Sequence, residues 1–292
     1  MPLTVLAPAK LNLTLDSVGR REDGYHLLES VFLAVDRRDK VTAARTDGGI
    51  RLRTVGGEFC PVEKNTAYKA AQAFFAATGV EGGISLTVEK HIPMQAGMGG
   101  GSADAAAVIV AMNTLWDTRL PQEKLEEIGL TVGADVPFCL RGGCAMVTGI
   151  GEKIASLPIP DHLQNAHFVV AQPAEAVSTK EAYAALDAAA ITRRPDHPAF
   201  LRGLKENDPA LLWASAANVF EEAISLPGVT ALRRAMEAHR PAAVQMTGSG
   251  SAVFAVCQTA AEAENLLGAL LPAYPTAFIC RACKGILSEN HD

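Results

Sequence analysis

No apolar run in the 292 residues approaches the ~20 needed to cross a bilayer, so a membrane-spanning helix is not expected. The opening residues, Met1-Pro2-Leu3-Thr4-Val5-Leu6-Ala7-Pro8, have no basic segment leading into a long apolar one, and no Arg/Ser-rich lead. Neither a signal peptide nor a transit peptide is predicted, and the expected location is cytoplasmic. An excess of positive charge is also missing: 26 basic against 32 acidic residues give a net charge of −6, which argues against a face built to track a nucleic acid. A few local donors would still hold a small anion. Paired metal ligands are scarce. The six cysteines are scattered, and the single CxxC, Cys280 to Cys283, has no second Cys/His pair beside it, so buried thiols are expected and no protein-held metal. Internal repeats and low-complexity tails are absent too.

What is present reads as an ordinary globular chain, 49% hydrophobic and 20% charged, long enough for two cores. Strand patterns fall at Leu3–Val5, Leu11–Val18, Leu27–Val35, Val41–Ala44 and Ile50–Val55, the last two flanking the hairpin signal Asp47-Gly48-Gly49. Asn65 is a helix N-cap candidate, and Ile84, Leu86, Val88 and Ile92 keep period two up to Pro93. Helices are predicted near Ser102–Leu115, Gln122–Leu130, Lys180–Ala188, Ala217–Ile224, Val229–Ala238 and Ala261–Leu270, with strands at Cys144–Thr148, His167–Ala171, Val244–Met246, Ala252–Cys257 and Ala277–Cys280. This mixture predicts an α+β protein with two lobes, 1–160 and 161–292, divided at the proline-rich Leu157-Pro158-Ile159-Pro160.

Three segments carry chemistry. The first runs Pro93-Met94-Gln95-Ala96-Gly97-Met98-Gly99-Gly100-Gly101-Ser102-Ala103-Asp104. Four glycines remove the Cβ atoms that would hold a backbone away from phosphate, and the helix that follows offers unpaired N–H groups and a positive dipole end. No Gly-Lys-Ser/Thr follows, and Ser102 stands where a dinucleotide fingerprint needs its third glycine. The plainer alternative, a flexible strand-to-helix turn, needs fewer glycines. The second segment is Ala7-Pro8-Ala9-Lys10-Leu11-Asn12-Leu13, in which strand alternation sends Lys10 and Asn12 to one face. The third is Gly133-Ala134-Asp135-Val136-Pro137-Phe138, with one carboxylate among small and apolar residues. Such a carboxylate needs a partner, and Lys10 is a candidate; a helix or turn cap is the competing role.

In this order the segments resemble the GHMP kinase superfamily over nearly the whole chain, with Thr247-Gly248-Ser249-Gly250-Ser251 on its third motif. The resemblance implies a first lobe like domain 2 of ribosomal protein S5 that binds ATP, a ferredoxin-like second lobe for substrate, and an active site between them. Within the superfamily, Lys10 to Leu13, Gly19-Arg20-Arg21-Glu22-Asp23-Gly24-Tyr25-His26, the Asp135 segment and Val177-Ser178-Thr179 are similar to the diphosphocytidyl-methylerythritol kinases. Gln95 and Met98 depart from the usual loop, and Asn218-Val219-Phe220-Glu221 departs from an Asn-Asp-Leu-Glu-like stretch, so no role is carried onto it.

The resemblance implies an ATP site at Pro93, Ala96, Gly97, Met98, Gly99, Gly100, Gly101 and Ser102, with Asn65 at adenine. It implies cytosine between Tyr25 and a second ring, placed at Tyr183, with His26 reading its polar edge and Asn12 and Gly248 also at the substrate. For Tyr183 a core-packing role competes. Lys10 and Asp135 are the expected catalytic pair, Asp135 taking the proton of a substrate hydroxyl as it attacks the γ-phosphorus. Mg²⁺ is expected to travel on the ATP phosphates with water. The expected partners are ATP and a small cytidine-diphosphate-linked alcohol, without nucleic acid or membrane, on a monomer or homodimer.

Overall fold

The computed structural model describes residues 1–56 and 60–289. Among these residues eleven strands form two sheets. In chain order they are β1 (Leu3–Arg20), β2 (His26–Thr46), β3 (Gly49–Val55), β4 (Gly83–Glu89), β5 (Cys144–Gly149), β6 (Lys153–Leu157), β7 (His167–Ala171), β8 (Ala243–Met246), β9 (Val253–Cys257), β10 (Phe278–Cys280) and β11 (Leu287–Glu289). The helices are α1 (Thr66–Thr78), α2 (Gly100–Leu115), α3 (Gln122–Val132), α4 (Val136–Arg141), α5 (Asp161–Gln164), α6 (Thr179–Ala188), α7 (His197–Glu206), α8 (Pro209–Ser215), α9 (Phe220–Ala223), α10 (Pro227–Glu237) and α11 (Ala260–Leu270).

The first sheet runs β11-β1-β2-β4-β3, with β5 also on β2 and β6 on β5. Its longest strands, β1 and β2, pair antiparallel with register shifts at Pro8/Ala9, Asn12/Thr14 and Ser17/Gly19. Such irregularities re-aim side chains, and here they flank Lys10 and Asn12. Both faces of β1 are covered. Val5, Ala7, Ala9, Leu11 and Leu13 are buried in the main core with the alanine-rich α2, while Lys10, Asn12 and Thr14 are buried on the opposite face.

The hairpin expected at Asp47-Gly48-Gly49 does not form a pair between β2 and β3. Strand β4 lies between them, antiparallel to β2 and parallel to β3, and α1 makes the crossover. A parallel pair requires such a crossover, and the apolar face of α1, with Ala67, Ala70, Ala71 and Phe74 buried, needs the sheet to cover it. The turn still needs Gly49, which sits in the left-handed region (φ 73°), and a Cβ on Gly83 of β4 would overlap the backbone of Gly48 and Gly49.

The second sheet runs β10-β7-β9-β8, all antiparallel, which in chain order is 4-1-3-2, the ferredoxin-like order. Helices α10 and α11 pack on it through Val229, Leu232, Met236, Ala263, Leu266 and Leu270. The predicted helix Ala217–Ile224 shortens to α9. Leu15 donates to Ala217 and Val219 donates to Leu15, so these residues bridge to β1 instead of coiling. Beyond Cys280 the chain crosses back. Ala282 bridges Val35, and β11 pairs with β1 at Thr4, Val5 and Leu6.

Candidate active site

Between the lobes lies one cavity of about 600 Å³. Lys10, Asn12, Asn65, Pro93, Ala96, Gly97, Met98, Gly99, Gly100, Gly101, Ser102, Asp135, Tyr183 and Gly248 all line it, so fourteen of the sixteen residues singled out in the sequence meet there. Tyr25 and His26 are not on its wall.

The glycine-rich segment enters from β4 and ends in α2. Gly99 stands at the N-cap of α2 in the left-handed region (φ 71°), with no side-chain cap, which leaves the first helical N–H groups turned to the cavity mouth without an intrachain side-chain acceptor. Its glycines serve more than one purpose. A Cβ on Gly97 would overlap the Thr247 carbonyl, and one on Gly248 would lie 2.8 Å from the Gly97 oxygen, so these two glycines let the lobes touch. A Cβ on Gly101 would sit 3.1 Å from Thr66 Oγ1, which donates to the Gly101 carbonyl at 2.6 Å. Only Gly99 and Gly100 face Lys10 and Lys90.

Opposite the loop, Lys10 is buried. Its ammonium donates to Asn12 Oδ1 at 2.7 Å, lies 3.5 Å from Asp135 Oδ2 and sits 4.8 Å from the centre of the Phe32 ring. Its backbone N–H donates to the Met98 carbonyl, tying β1 to the loop. Asp135 occupies the N-cap position of α4 yet makes no capping bond, so the competing structural role is not taken. Its side chain is about a third exposed (32%) and free to meet a ligand. Asn12 is fully committed in position: its Nδ2 donates to Ser30, and its backbone N–H to Thr247 Oγ1 at 3.0 Å. Thr247 thereby joins the third motif to the first.

At the far end, Tyr183 on α6 is partly buried against the second core, and desolvation followed by the nearby Asp135 charge raises its phenol above the ordinary value. It stacks on His26 with ring centroids 4.5 Å apart and meets Phe220 edge-on at 5.1 Å. One face of Tyr183 is thus already covered by His26, which also binds Asp187 at 2.7 Å. Hydrogen bonding to His26, and then its charge and that of Arg20, lower the Asp187 carboxyl. Tyr25 points outward with 62% of its surface exposed, so the ring sandwich expected around cytosine is not closed in this structure. Asn65 lines the cavity, and its Oδ1 accepts from Ala67 N and caps α1.

Sequence reasoning gave no site role to several residues on or beside this wall. Asn218 is buried and donates to the carbonyls of Met246 and Gly248, both at 2.8 Å, thereby shaping the third motif. Ser178 and Thr179 reach the cavity at the start of α6, where Ser178 and Glu181 form a capping box; the spacing Ser-x-x-Glu was a readable signal. Lys90 and Asp104 lie beneath the loop, and nothing in their local pattern marks them. The six cysteines are free thiols, five of them at least partly buried. No group of three His, Cys, Asp or Glu side chains able to hold a metal occurs among the described residues.

Two lobes of these folds, joined over a loop of this kind, match known families. Residues 65–143 match the family model for the GHMP kinases N terminal domain, and residues 185–275 that for the GHMP kinases C terminal region. GHMP kinases use ATP as phosphate donor. The chain is 42% identical over 267 residues to 4-diphosphocytidyl-2-C-methyl-D-erythritol kinase of Carboxydothermus hydrogenoformans, covering 90% of this chain and 91% of that one. With the enzyme of the same name from Brevibacillus brevis, identity is 40% over 285 residues and 96% of each chain. A crystal structure of 4-(cytidine 5'-diphospho)-2C-methyl-D-erythritol kinase superposes with a TM-score of 0.78 at 32% identity, covering 95% of this chain and 98% of that chain. A homoserine kinase from Cytophaga hutchinsonii reaches the same TM-score at 20% identity, which speaks for the fold alone. The chain belongs to the 4-diphosphocytidyl-2-C-methyl-D-erythritol kinase family.

Proposed function

We propose that the protein transfers the γ-phosphoryl group of ATP to the 2-hydroxyl of 4-diphosphocytidyl-2-C-methyl-D-erythritol, a step in making isoprenoid precursors. The observation that carries this reading is the Lys10–Asp135 couple facing the free N-terminus of α2 across one cavity. Anionic phosphates suit that helix end, and each charge-assisted bond there contributes on the order of 1.5–3 kcal/mol. The acceptor hydroxyl would lie against Asp135 Oδ2, which takes its proton as the oxygen attacks phosphorus. Lys10, fixed by Asn12 and Phe32, places positive charge beside both groups. The transition state is loose, so positioning and donors on the phosphate oxygens supply most of the rate.

Mg²⁺ would neutralise phosphate charge on the nucleotide. The donor set suits an ion carried by ATP and water, with Ser102 the hydroxyl on hand. Asn65, also on the cavity wall, would lie at the adenine end. At the other end the exposed Tyr25 ring and the edge of the His26–Tyr183 stack are the surfaces for cytosine, and closure of Tyr25 onto the base would contribute about 1–3 kcal/mol of stacking. Lobe 1–160 would then hold ATP and 161–292 would supply Tyr183 and Gly248. No helix is long and apolar enough to cross a membrane among the described residues. The free thiols suit a reducing cytoplasm, and the protein would work there as a monomer or homodimer.

An ATP-coupled assay with the cytidine-diphosphate alcohol, homoserine and mevalonate as acceptors tests the reading. Turnover with the first alone is expected. Preference for either of the others would reassign the substrate.

A further inference from the structure

Beneath the glycine-rich loop sits a buried group that the phosphoryl transfer does not use. Asp39, on β2 and wholly buried, accepts from the backbone N–H of Ile92 at 2.8 Å and from that of His91. The Lys90 ammonium bridges this carboxylate to Asp104 Oδ2, 2.6 Å away in the first turns of α2. The other Asp104 oxygen is buried without a partner. A Cβ placed on Gly100 would lie 3.4 Å from the Lys90 Nζ and 3.1 Å from Ile92 Cγ2, so the bridge stands against the residue that begins α2.

Lys90 precedes the loop and Asp104 follows it. The bridge therefore closes the neck of a segment whose own glycines favour disorder, since glycine loses more backbone freedom on ordering than any other residue. A loop left open must be ordered by its ligand, and that ordering is subtracted from affinity. We propose that Lys90 is a positioning residue for ATP: by clamping Asp104 to Asp39 it holds the phosphate-binding turn in its bound shape before the nucleotide arrives. The inference rests on the assignment of this cavity to ATP. Burial opposes the Lys90 charge, but the two carboxylates outweigh it and hold its pKa above the ordinary lysine value; burial pushes the Asp104 carboxyl up to about 7. The bridge is thus costly to form and is kept in place by the fold around it.

Removing Lys90 alone strands two buried carboxylates, so Lys90→Met is compared with the double variant Lys90→Met/Asp104→Asn, which leaves Asp39 with its two backbone donors. Mg·ADP binding is measured by titration calorimetry, thermal unfolding is followed in parallel, and KM is determined for each substrate. The double variant is expected to regain most of the wild-type melting temperature while its nucleotide Kd and KM for ATP stay roughly tenfold or more above wild type, with KM for the acceptor alcohol little changed. Recovery of nucleotide affinity together with stability would reduce Lys90 to charge compensation and overturn the clamp. An equal rise in both KM values would overturn it as well. Failure of the wild-type protein to bind Mg·ADP would instead remove the ATP assignment itself.

Discussion

Replacing Gly99 with alanine tests whether the loop sets the Lys10–Asp135 couple or merely passes beside it. Gly99 has a φ of 71°, so any side chain there carries a left-handed penalty of about 1 kcal/mol. The new methyl would also stand 3.1 Å from Lys10 Cγ, 3.3 Å from its Cε and 3.8 Å from Asp135 Oδ2. Lys10 has no free space to retreat into, being buried against Phe32 and bonded to Asn12 at 2.7 Å. The ammonium must shift relative to Asp135, and a displacement approaching 1 Å at reacting groups costs on the order of 10²-fold in rate. The matched control is Gly79→Ala at the C-cap of α1, where φ is 66° and nothing lies within 4 Å of the added carbon. Both variants are expected to lose about 1–2 kcal/mol in urea unfolding, but only Gly99→Ala should lose roughly 10²-fold in kcat in the ATP-coupled assay. A Gly99→Ala enzyme with normal kcat, or a Gly79→Ala enzyme equally slowed, would refute the coupling of loop geometry to Lys10.

Asp135→Asn should abolish most of the chemical step in single-turnover kinetics while the fold and Mg·ADP binding persist; near-normal turnover would remove Asp135 as the base. Tyr25→Ala should weaken the cytidine-diphosphate alcohol by about 1–3 kcal/mol in a direct titration and leave nucleotide affinity unchanged, unless the exposed ring plays no part in the site. The Asp104 carboxyl, raised by burial to about 7 in the folded chain, holds its proton more tightly there than in the unfolded chain, where the value is ~3.9. Its contribution to stability is therefore complete at low pH and is lost as pH rises toward 7. Urea unfolding of the wild type relative to Asp104→Asn should decline between pH ~4 and ~7 and level off above, and parallel curves would contradict the assignment.

The parts of the site that were readable were those written in local chemistry. Strand alternation put Lys10 and Asn12 on one face, the crowded glycines marked the end of a helix, and the isolated Asp135 called for a cation. What could not be read depends on distant pairings. The hairpin signal at Asp47-Gly48-Gly49 is genuine turn chemistry, yet β4 inserts beside β2 because the apolar face of α1 must be covered. Residues Ala217–Val219 have helical character but are drawn into bridges with Leu15. Tyr183 was placed at the site through resemblance, whereas its stacking on His26 required knowing how β2 meets α6. Helices α7 and α8 were legible and overlooked: Asp196 and Asp208 cap them, and a proline stands in each first turn.

The pairing of β11 with β1 has a consequence for how the molecule is made. Strand β1 finds one of its neighbours only after β2 to β10 have been synthesised. Until then the stretch from Thr4 to Leu6 keeps an unpaired edge, open to strands from other nascent chains. A gene fragment encoding only the first half would inherit that edge permanently, so splitting the enzyme for expression would trade away part of its own sheet.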